Sequence, residues 1–235
     1  MSGLTTILPH LHVVSPENPV PEITLPNCSV YVVEADDHIL LIDSGNGFSH
    51  VSILRALDSL SLRDGRPVTV LLTHCHMDHV GGVEYFHQSM EIAAAPGTAA
   101  LLRTASHRIW YEAPELVRPL VVHSDLLPGV RNFGPHRVEI VPTPGHTGDC
   151  LSFVVDIDGR RCIFSGDLIM PDGSIGWQGS DDFSRPDLIN SLGWLSEQPF
   201  DLLLTGHWYA GPEARERVRG ALGVIGDRDP EAEVR

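Results

Sequence analysis

Basic residues are scarce in this sequence. The 235 residues include 16 Lys or Arg and 31 Asp or Glu, which gives a formal net charge of -15 at pH 7. DNA, RNA and anionic lipid surfaces are normally bound through basic faces, so this charge argues against a polyanionic partner. The composition therefore predicts a protein that contacts neither nucleic acid nor a membrane.

Cysteine is also scarce, and long apolar runs are missing from the sequence. The cysteines show no paired spacing, which favours reduced, buried thiols over a disulfide framework; they are Cys28, Cys75, Cys150 and Cys162. The first nine residues lack the charged start and the apolar stretch of a signal peptide, and no run approaches transmembrane length. We therefore expect a cytoplasmic protein.

Short apolar runs alternate with helical spacing, which predicts an α/β fold. We expect one domain over residues 1–226 and a disordered tail over 227–235. The stretch 103–136 has few periodic signals and is expected to be an irregular insertion, either with a role in the substrate pocket or as a surface excursion packed by its own aromatic residues. Asp158-Gly159 separates two apolar runs and predicts a tight hairpin turn. Strands are predicted in 4–14, 28–43, 68–72, 92–95, 138–141, 151–165 and 201–204, and helices at 48–61, 83–88, after 96, 186–196 and from 212.

The most informative stretch is residues 70–79, where an apolar strand ends and four metal-ligand side chains follow. These are His74, His76, Asp78 and His79. Imidazole and carboxylate suit zinc, manganese or iron. Cys75 lies between two of these residues, and the alternation of an extended chain directs it away from them. We therefore expect Cys75 to be buried and not nucleophilic.

Three further ligand residues also follow predicted strands that end in Thr or Ser. They are His146 after Thr143, Asp167 after Ser165, and His207 after Thr205. In α/β sheets, sites form in the crevice at the carboxyl ends of strands, where side chains can converge. The pattern therefore predicts a single metal site. Its seven candidate ligands are His74, His76, Asp78, His79, His146, Asp167 and His207.

These motifs resemble the signature of the metallo-β-lactamase superfamily over residues 25–210. The segments that carry the resemblance are His74-Cys75-His76-Met77-Asp78-His79, Pro144-Gly145-His146-Thr147, Ser165-Gly166-Asp167 and Thr205-Gly206-His207. The resemblance implies a four-layer αββα sandwich, in which two sheets pack face to face with helices outside. It is specific for the superfamily but says little about the substrate.

The resemblance also implies roles for individual residues. It places His74, His76 and His146 on one divalent ion, and Asp78, His79 and His207 on a second, with Asp167 bridging them. The ions are expected to be Zn²⁺, with iron or manganese as alternatives. A hydroxide shared by the ions would attack a carbonyl, and Asp78 would carry its proton. Asp43 is expected to support the metal loop, and Tyr209 and Trp177, with Trp208, are candidates to line the pocket.

The leading functional hypothesis is a dinuclear metal hydrolase of a small ester, lactone or thioester. The helical thiol-binding domain of glyoxalase-type thioesterases is not expected here, because too few residues follow His207 to form it. Homoserine-lactone lactonases commonly have Tyr shortly after the bridging Asp, whereas Leu168-Ile169-Met170 follow Asp167 here, so a Tyr with that role would have to come from elsewhere in the chain. The alternatives are an oxidoreductase resembling mononuclear-iron persulfide dioxygenases and a non-catalytic metal-holding protein. Specificity is expected to reside in 103–136 and 174–183.

Overall fold

The computed structural model describes residues 3–15, 26–62, 65–211 and 213–227 of the chain. Its first sheet has seven strands in sequential order, antiparallel from β1 to β4 and parallel from β4 to β7. The strands are β1 Leu4–Leu8, β2 Leu11–Val14, β3 Val30–Glu34, β4 Ile39–Ile42, β5 Val68–Leu71, β6 Glu91–Ala94 and β7 Ser124–Asp125.

The second sheet has six strands in the order β13-β12-β11-β10-β9-β8, and only β11 and β12 are parallel. The turn between β10 and β11 is the predicted hairpin, since Asp158 (φ 51°) and Gly159 (φ 72°) both adopt positive φ. The strands are β8 Gly129–Phe133, β9 His136–Pro142, β10 Leu151–Ile157, β11 Arg160–Gly166, β12 Leu202–Thr205 and β13 Trp208–Ala210.

Helices cover the outer face of each sheet. They are α1 His50–Ser59, α2 Met77–Val80, α3 Val83–Phe86, α4 Pro96–Arg103, α5 Arg185–Glu197 and α6 Ala214–Asp227. Pro96 begins α4 and Ser184 caps α5 by accepting a hydrogen bond from the Asp187 amide, so both helices start where the sequence provides a start signal. No helix in the described ranges is long and apolar enough to cross a bilayer.

Three apolar layers hold the sandwich together. Leu57 of α1 and Leu102 of α4 pack against the first sheet, and Leu192 of α5 packs against the second. Between the sheets, the rings of Tyr31 and Phe164 meet edge to face with centroids 5.3 Å apart. Strands buried on both faces explain the continuous apolar runs of β4 and β5 in the sequence.

The four-layer αββα fold predicted from the sequence is confirmed. The details differ in the stretch 103–136, which contributes β7 to the first sheet and β8 to the second and is otherwise built of two short 3-10 turns, His107–Ile109 and Pro114–Leu116. The helix α6 extends to Asp227, one residue past the predicted domain limit. The remainder of the predicted tail lies outside the described residues.

The inter-sheet layer generates a stability prediction. Replacing Phe164 by Ala removes a fully buried ring that both sheets contact, and should lower the free energy of unfolding by about 3–5 kcal/mol. Val224 is a control because it is 57% exposed, and Val224→Ala should change that free energy by less than about 0.5 kcal/mol. Urea denaturation followed by circular dichroism measures both. Equal midpoints for the two variants would contradict this account of the core.

Candidate metal centre

The predicted ligands follow the carboxyl ends of strands that meet at one rim of the sandwich. His74 follows β5 of the first sheet, whereas Asp167 and His207 follow the parallel strands β11 and β12 of the second. His146 lies in the loop between β9 and β10. The predicted convergence is therefore observed, and the side chains come from both sheets.

Hydrogen bonds between the two sheets fix this rim. The amide of Leu151 donates to the carbonyl of Thr73 at 2.8 Å, and the amide of Ser29 donates to the carbonyl of Gly206 at 2.7 Å. The buried hydroxyl of Tyr31 donates to the carbonyl of Thr205 at 2.7 Å. Since each bond joins one sheet to the other beside a predicted ligand, the ligand positions are set by backbone contacts rather than by side-chain freedom.

Three imidazoles form the first group of donors. Nδ1 of His76 lies 3.2 Å from Nε2 of His74 and 2.9 Å from Nε2 of His146. All three side chains are buried, and burial lowers the pKa of His76 to about 3 and also lowers those of His74 and His146. The rings are therefore neutral near pH 7, the state in which imidazole binds a metal.

The carboxyl group of Asp78 and the imidazoles of His79 and His207 form the second group, and Asp167 lies beside it. Nε2 of His207 lies 3.4 Å from an oxygen of Asp78 and 3.4 Å from an oxygen of Asp167. Nε2 of His79 lies 3.6 Å from Asp78 and 3.3 Å from Asp167. Asp167 also approaches Nε2 of His146 at 3.8 Å. The Asp167 carboxylate thus lies between the two groups of donors.

The two carboxyl groups differ in charge behaviour. Burial raises the pKa of Asp78. Burial also acts to raise the pKa of Asp167, but the neighbouring His79 and His207 outweigh it and hold that pKa well below its usual range. Asp167 is therefore the firmly anionic member of the site, which suits its place between the two groups of donors.

Asp43 determines which nitrogen carries a proton in the rings of His74 and His79. The Thr73 hydroxyl donates to the Asp43 carboxylate at 2.9 Å, so its oxygen is left to accept from Nδ1 of His74 at 3.0 Å. Nδ1 of His79 donates to Asp43 at 2.8 Å. With a proton on Nδ1, both rings direct Nε2, the nitrogen left to bind a metal, into the site. Asp43 was expected to support this loop, and these contacts are the ones such a role requires.

Main-chain carbonyls orient two further rings in the same way. Nδ1 of His146 donates to the carbonyl of Trp177 at 3.1 Å, and Nδ1 of His207 donates to the carbonyl of Asn27 at 3.3 Å. A carbonyl can only accept, so the proton of each ring lies on Nδ1. Four of the five histidines therefore carry a proton on Nδ1 and direct Nε2, the nitrogen left to bind a metal, into the site.

Two atoms of the site show that its donor set fits divalent cations. Nε2 of His79 and Oδ1 of Asp167 are buried and have no hydrogen-bond partner among the described residues, although they lie 3.3 Å apart. Their approach is favourable only when a positive charge lies beside them, either a second proton on the ring or a bound cation that takes its place. Buried imidazole nitrogens and carboxylate oxygens are the donors that zinc and similar ions take.

A glycine makes the close approach of these groups possible. A Cβ built on Gly206 would lie 2.0 Å from Oδ1 of Asp167 and 2.8 Å from Cε1 of His79. Because of these short distances, any side chain at position 206 would displace two candidate donors. Gly206 directly precedes a third, His207. The sequence shows Thr205-Gly206-His207, but only the structure reveals this steric need, because Asp167 and His79 are distant along the chain.

A cavity of about 400 Å³ opens beside the two donor groups. Trp177 lines it, as expected, and His76, Asp78, His146, Asp167 and His207 form its floor. Tyr209 and Trp208, also candidates for the pocket, pack in β13 against the inter-sheet layer instead. The sequence reasoning did not single out the other lining residues, which are Pro26, Met77, Ile109, Trp110, Tyr111, Glu112, Met170 and Gly176.

These newly found lining residues come mainly from the two segments in which specificity was expected. Ile109 to Glu112 belong to 103–136, and Gly176 and Trp177 belong to 174–183. Trp110-Tyr111 was the available signal, since two adjacent aromatic residues stand out in an otherwise irregular stretch. Trp110 and Tyr111 are distant from the ligand motifs along the chain, so the sequence alone did not show that they lie beside the site. Cys75 is buried, and burial raises its pKa to about 12, so it is an inert thiol.

Known proteins resemble this chain in sequence and in fold. The family model described as metallo-beta-lactamase superfamily matches residues 23–207. The structure of a HARLDQ-motif mutant of a metallo-beta-lactamase from Cronobacter sakazakii superposes on this chain with a TM-score of 0.76. The sequence identity is 18%, and the match covers 96% of this chain and 96% of that one. At that identity the likeness concerns the fold alone.

Two curated relatives extend the comparison. The uncharacterized protein YobT of Bacillus subtilis (strain 168) is 26% identical over 83% of this chain and 88% of its own length. The acyl-coenzyme A thioesterase MBLAC2 of Gallus gallus is 27% identical over 63% of this chain. The match spans only 60% of that thioesterase's own length.

The steric role of Gly206 leads to a first prediction for the site. Gly206→Ala should displace Asp167 and His79 and so lower the bound metal to well under half of the wild-type content. Gly220→Ala is the matched control, because a Cβ there meets nothing within 4 Å, and it should retain full metal. Plasma mass spectrometry of the purified proteins measures both. Full metal content in Gly206→Ala would overturn this reading.

The hydrogen bonds of Asp43 lead to a second prediction. Asp43 accepts hydrogen bonds from Thr73 and His79, and Asp43→Asn replaces one accepting oxygen by an NH2 group that can only donate. The rings of His74 and His79 should therefore lose the contacts that orient them. Metal affinity should fall by about 10–100-fold. Competition with a chromophoric chelator measures this, and Asp156→Asn, at an exposed position of β10, should leave the affinity unchanged. Equal affinities in the two variants would refute the role given to Asp43.

Proposed function

The chain belongs to the metallo-β-lactamase superfamily and is a metal-dependent hydrolase, and we propose that it uses two divalent ions to cleave a small ester, lactone or thioester. The observation that carries this proposal is the position of Asp167, between a group of three imidazoles and a group formed by Asp78, His79 and His207. One ion uses three or four protein donors, so seven convergent donors are better matched by two ions.

Each donor group would hold one ion. His74, His76 and His146 would bind the first, and Asp78, His79 and His207 the second, with Asp167 shared between them. Zn²⁺ is the ion we propose, because imidazole and carboxylate donors in this number suit it. Bound together, two such ions supply a water of lowered pKa and polarise a substrate carbonyl.

The chain's own residues would orient the reaction. Asp43 and the carbonyls of Trp177 and Asn27 fix the rings, so the donors are arranged before a substrate arrives. Asp78 lines the cavity, so its carboxylate would be placed to take a proton from the bound water and return it at the cavity floor. The segment 103–136 would supply one side of the substrate pocket through Ile109 to Glu112.

The proposed substrate is a small molecule, because the cavity of about 400 Å³ matches the size of pockets that enclose such ligands. The relative named as an acyl-coenzyme A thioesterase supports an acyl transfer to water. Two alternatives considered from the sequence, a mononuclear-iron dioxygenase and a metal-holding protein without turnover, receive no such support from named relatives. Metal content and oxygen uptake on a thiol persulfide would separate the first of them from the hydrolase.

The bridging role of Asp167 provides the test. Asp167→Ala should abolish turnover of thioesters, esters and lactones and lower the bound metal below two equivalents per chain, because both donor groups lose a member. Asp125→Ala, at an exposed position of β7, is the control and should keep both properties. Turnover panels and elemental analysis measure the outcome. Full activity with Asp167→Ala, or with fewer than two equivalents in the wild type, would reject the dinuclear centre.

A further inference from the structure

The cavity also carries information about which acyl group it accepts. We propose that the acyl portion of the substrate is uncharged and apolar, that it binds against an aromatic wall formed by Trp110, Tyr111 and Trp177, and that Glu112 disfavours acyl groups ending in a carboxylate. This inference rests on the proposed hydrolase function and specifies its substrate class.

The aromatic wall stands directly beside a metal-ligand candidate. The ring of Trp177 lies 5.5 Å from that of His76, and the ring of Tyr111 lies 6.4 Å from it. Tyr111 and Trp177 contact each other with centroids 5.1 Å apart. A carbonyl carbon placed over the donor groups would therefore have its acyl chain within reach of both rings, which would bury apolar surface.

The hydroxyl of Tyr111 is directed away from the cavity floor. It accepts a hydrogen bond from the amide of Asp181 at 2.8 Å and lies 3.3 Å from the hydroxyl of Ser180. With its polar end occupied by the loop on one side, Tyr111 offers the cavity the apolar part of its ring. Ile109, Met77 and Met170 extend the same apolar lining.

The charges around the aromatic wall are negative or already paired. Glu112 lines the cavity at an exposed position, next to Tyr111 in the chain. Arg108, from the same segment, is directed towards Asp182 and forms an ion pair with it. Asp182 in turn accepts a hydrogen bond from the amide of Gly148 at 2.7 Å, in the loop that carries His146. A substrate carboxylate near the wall would therefore meet Glu112, and among the described residues no Lys or Arg lines the cavity to offset that charge.

This arrangement should let the aromatic wall discriminate between acyl groups with an apolar end and those that end in a carboxylate. Two like charges near each other in a partly desolvated site repel more strongly than in water. An apolar chain end gains the burial that a carboxylate would forfeit. Both effects act against an acyl group ending in a carboxylate and in favour of an alkyl or aryl end.

Two thioesters of one uncharged thiol test the proposal. Hexanoyl and adipoyl thioesters of N-acetylcysteamine share the leaving group and the chain length, and differ in a terminal methyl or carboxylate. With metal-loaded enzyme we expect kcat/KM to favour the hexanoyl compound by at least about tenfold, mainly through KM. Glu112→Gln should narrow this ratio and Glu112→Arg should narrow it further or invert it.

Two more variants separate specificity from folding. Glu115→Gln is the matched control, because Glu115 is exposed in the same segment and does not line the cavity, and the ratio should not change. Trp177→Ala removes the ring but keeps the carbonyl that His146 uses, so KM for the hexanoyl thioester should rise about tenfold with a smaller change in kcat.

Binding to metal-free protein gives a readout independent of turnover. Hexanamide should quench the tryptophan fluorescence at lower concentration than adipamate does, and Trp177→Ala should weaken this response. If the enzyme hydrolyses both thioesters equally, or adipamate binds as well as hexanamide, the inference is overturned while the hydrolase stands. If no thioester, ester or lactone is hydrolysed, the proposed function fails, and the binding comparison still decides whether the wall prefers uncharged groups.

Discussion

The arrangement of the candidate site depends on one buried carboxylate that does not line the cavity. Asp43 accepts hydrogen bonds from the amide and hydroxyl of Thr73 and from the ring of His79, and through Thr73 it also sets the ring of His74. It therefore orients one histidine in each donor group. Asp43 is 2% exposed and has a φ of 63°, a left-handed conformation that Asp tolerates better than most residues. The bonds it accepts hold it in that conformation.

Much of the fold, and the convergence of the candidate ligands, was predictable because both follow from local patterns. A strand such as β5 is an apolar run, and a ligand just after it, such as His74, must lie at the sheet edge. The same logic located His146, Asp167 and His207, although they lie far apart in the chain. The family resemblance added the division into two donor groups, which spacing alone does not provide.

The features that sequence reasoning missed depend on contacts between distant segments. The short strand β13 pairs with β12 immediately after His207, which turns Trp208 and Tyr209 towards the inter-sheet layer rather than the cavity. The stretch 103–136 has no periodicity because it alternates between the edges of two sheets. Gly206 shows its importance only beside Asp167. In each case the determining neighbour is distant in the chain or belongs to an edge pairing that periodicity does not reveal.

The cavity wall and the ligands are mechanically connected through Asp182. This carboxylate contacts Arg108 on the wall side and the Gly148 amide on the ligand side, while the carbonyl of Trp177 holds His146. The residues that line the cavity and the candidate metal ligands are therefore held by the same contacts.

The division of the donors between the two sheets also orders events during synthesis. A nascent chain leaving the ribosome exposes His74, His76, Asp78 and His79 well before His146, Asp167 and His207. A half-made chain would thus hold only part of each candidate donor group, and both groups would be complete only after the second sheet packs against the first. Cation capture would then be a late, cooperative event in biogenesis.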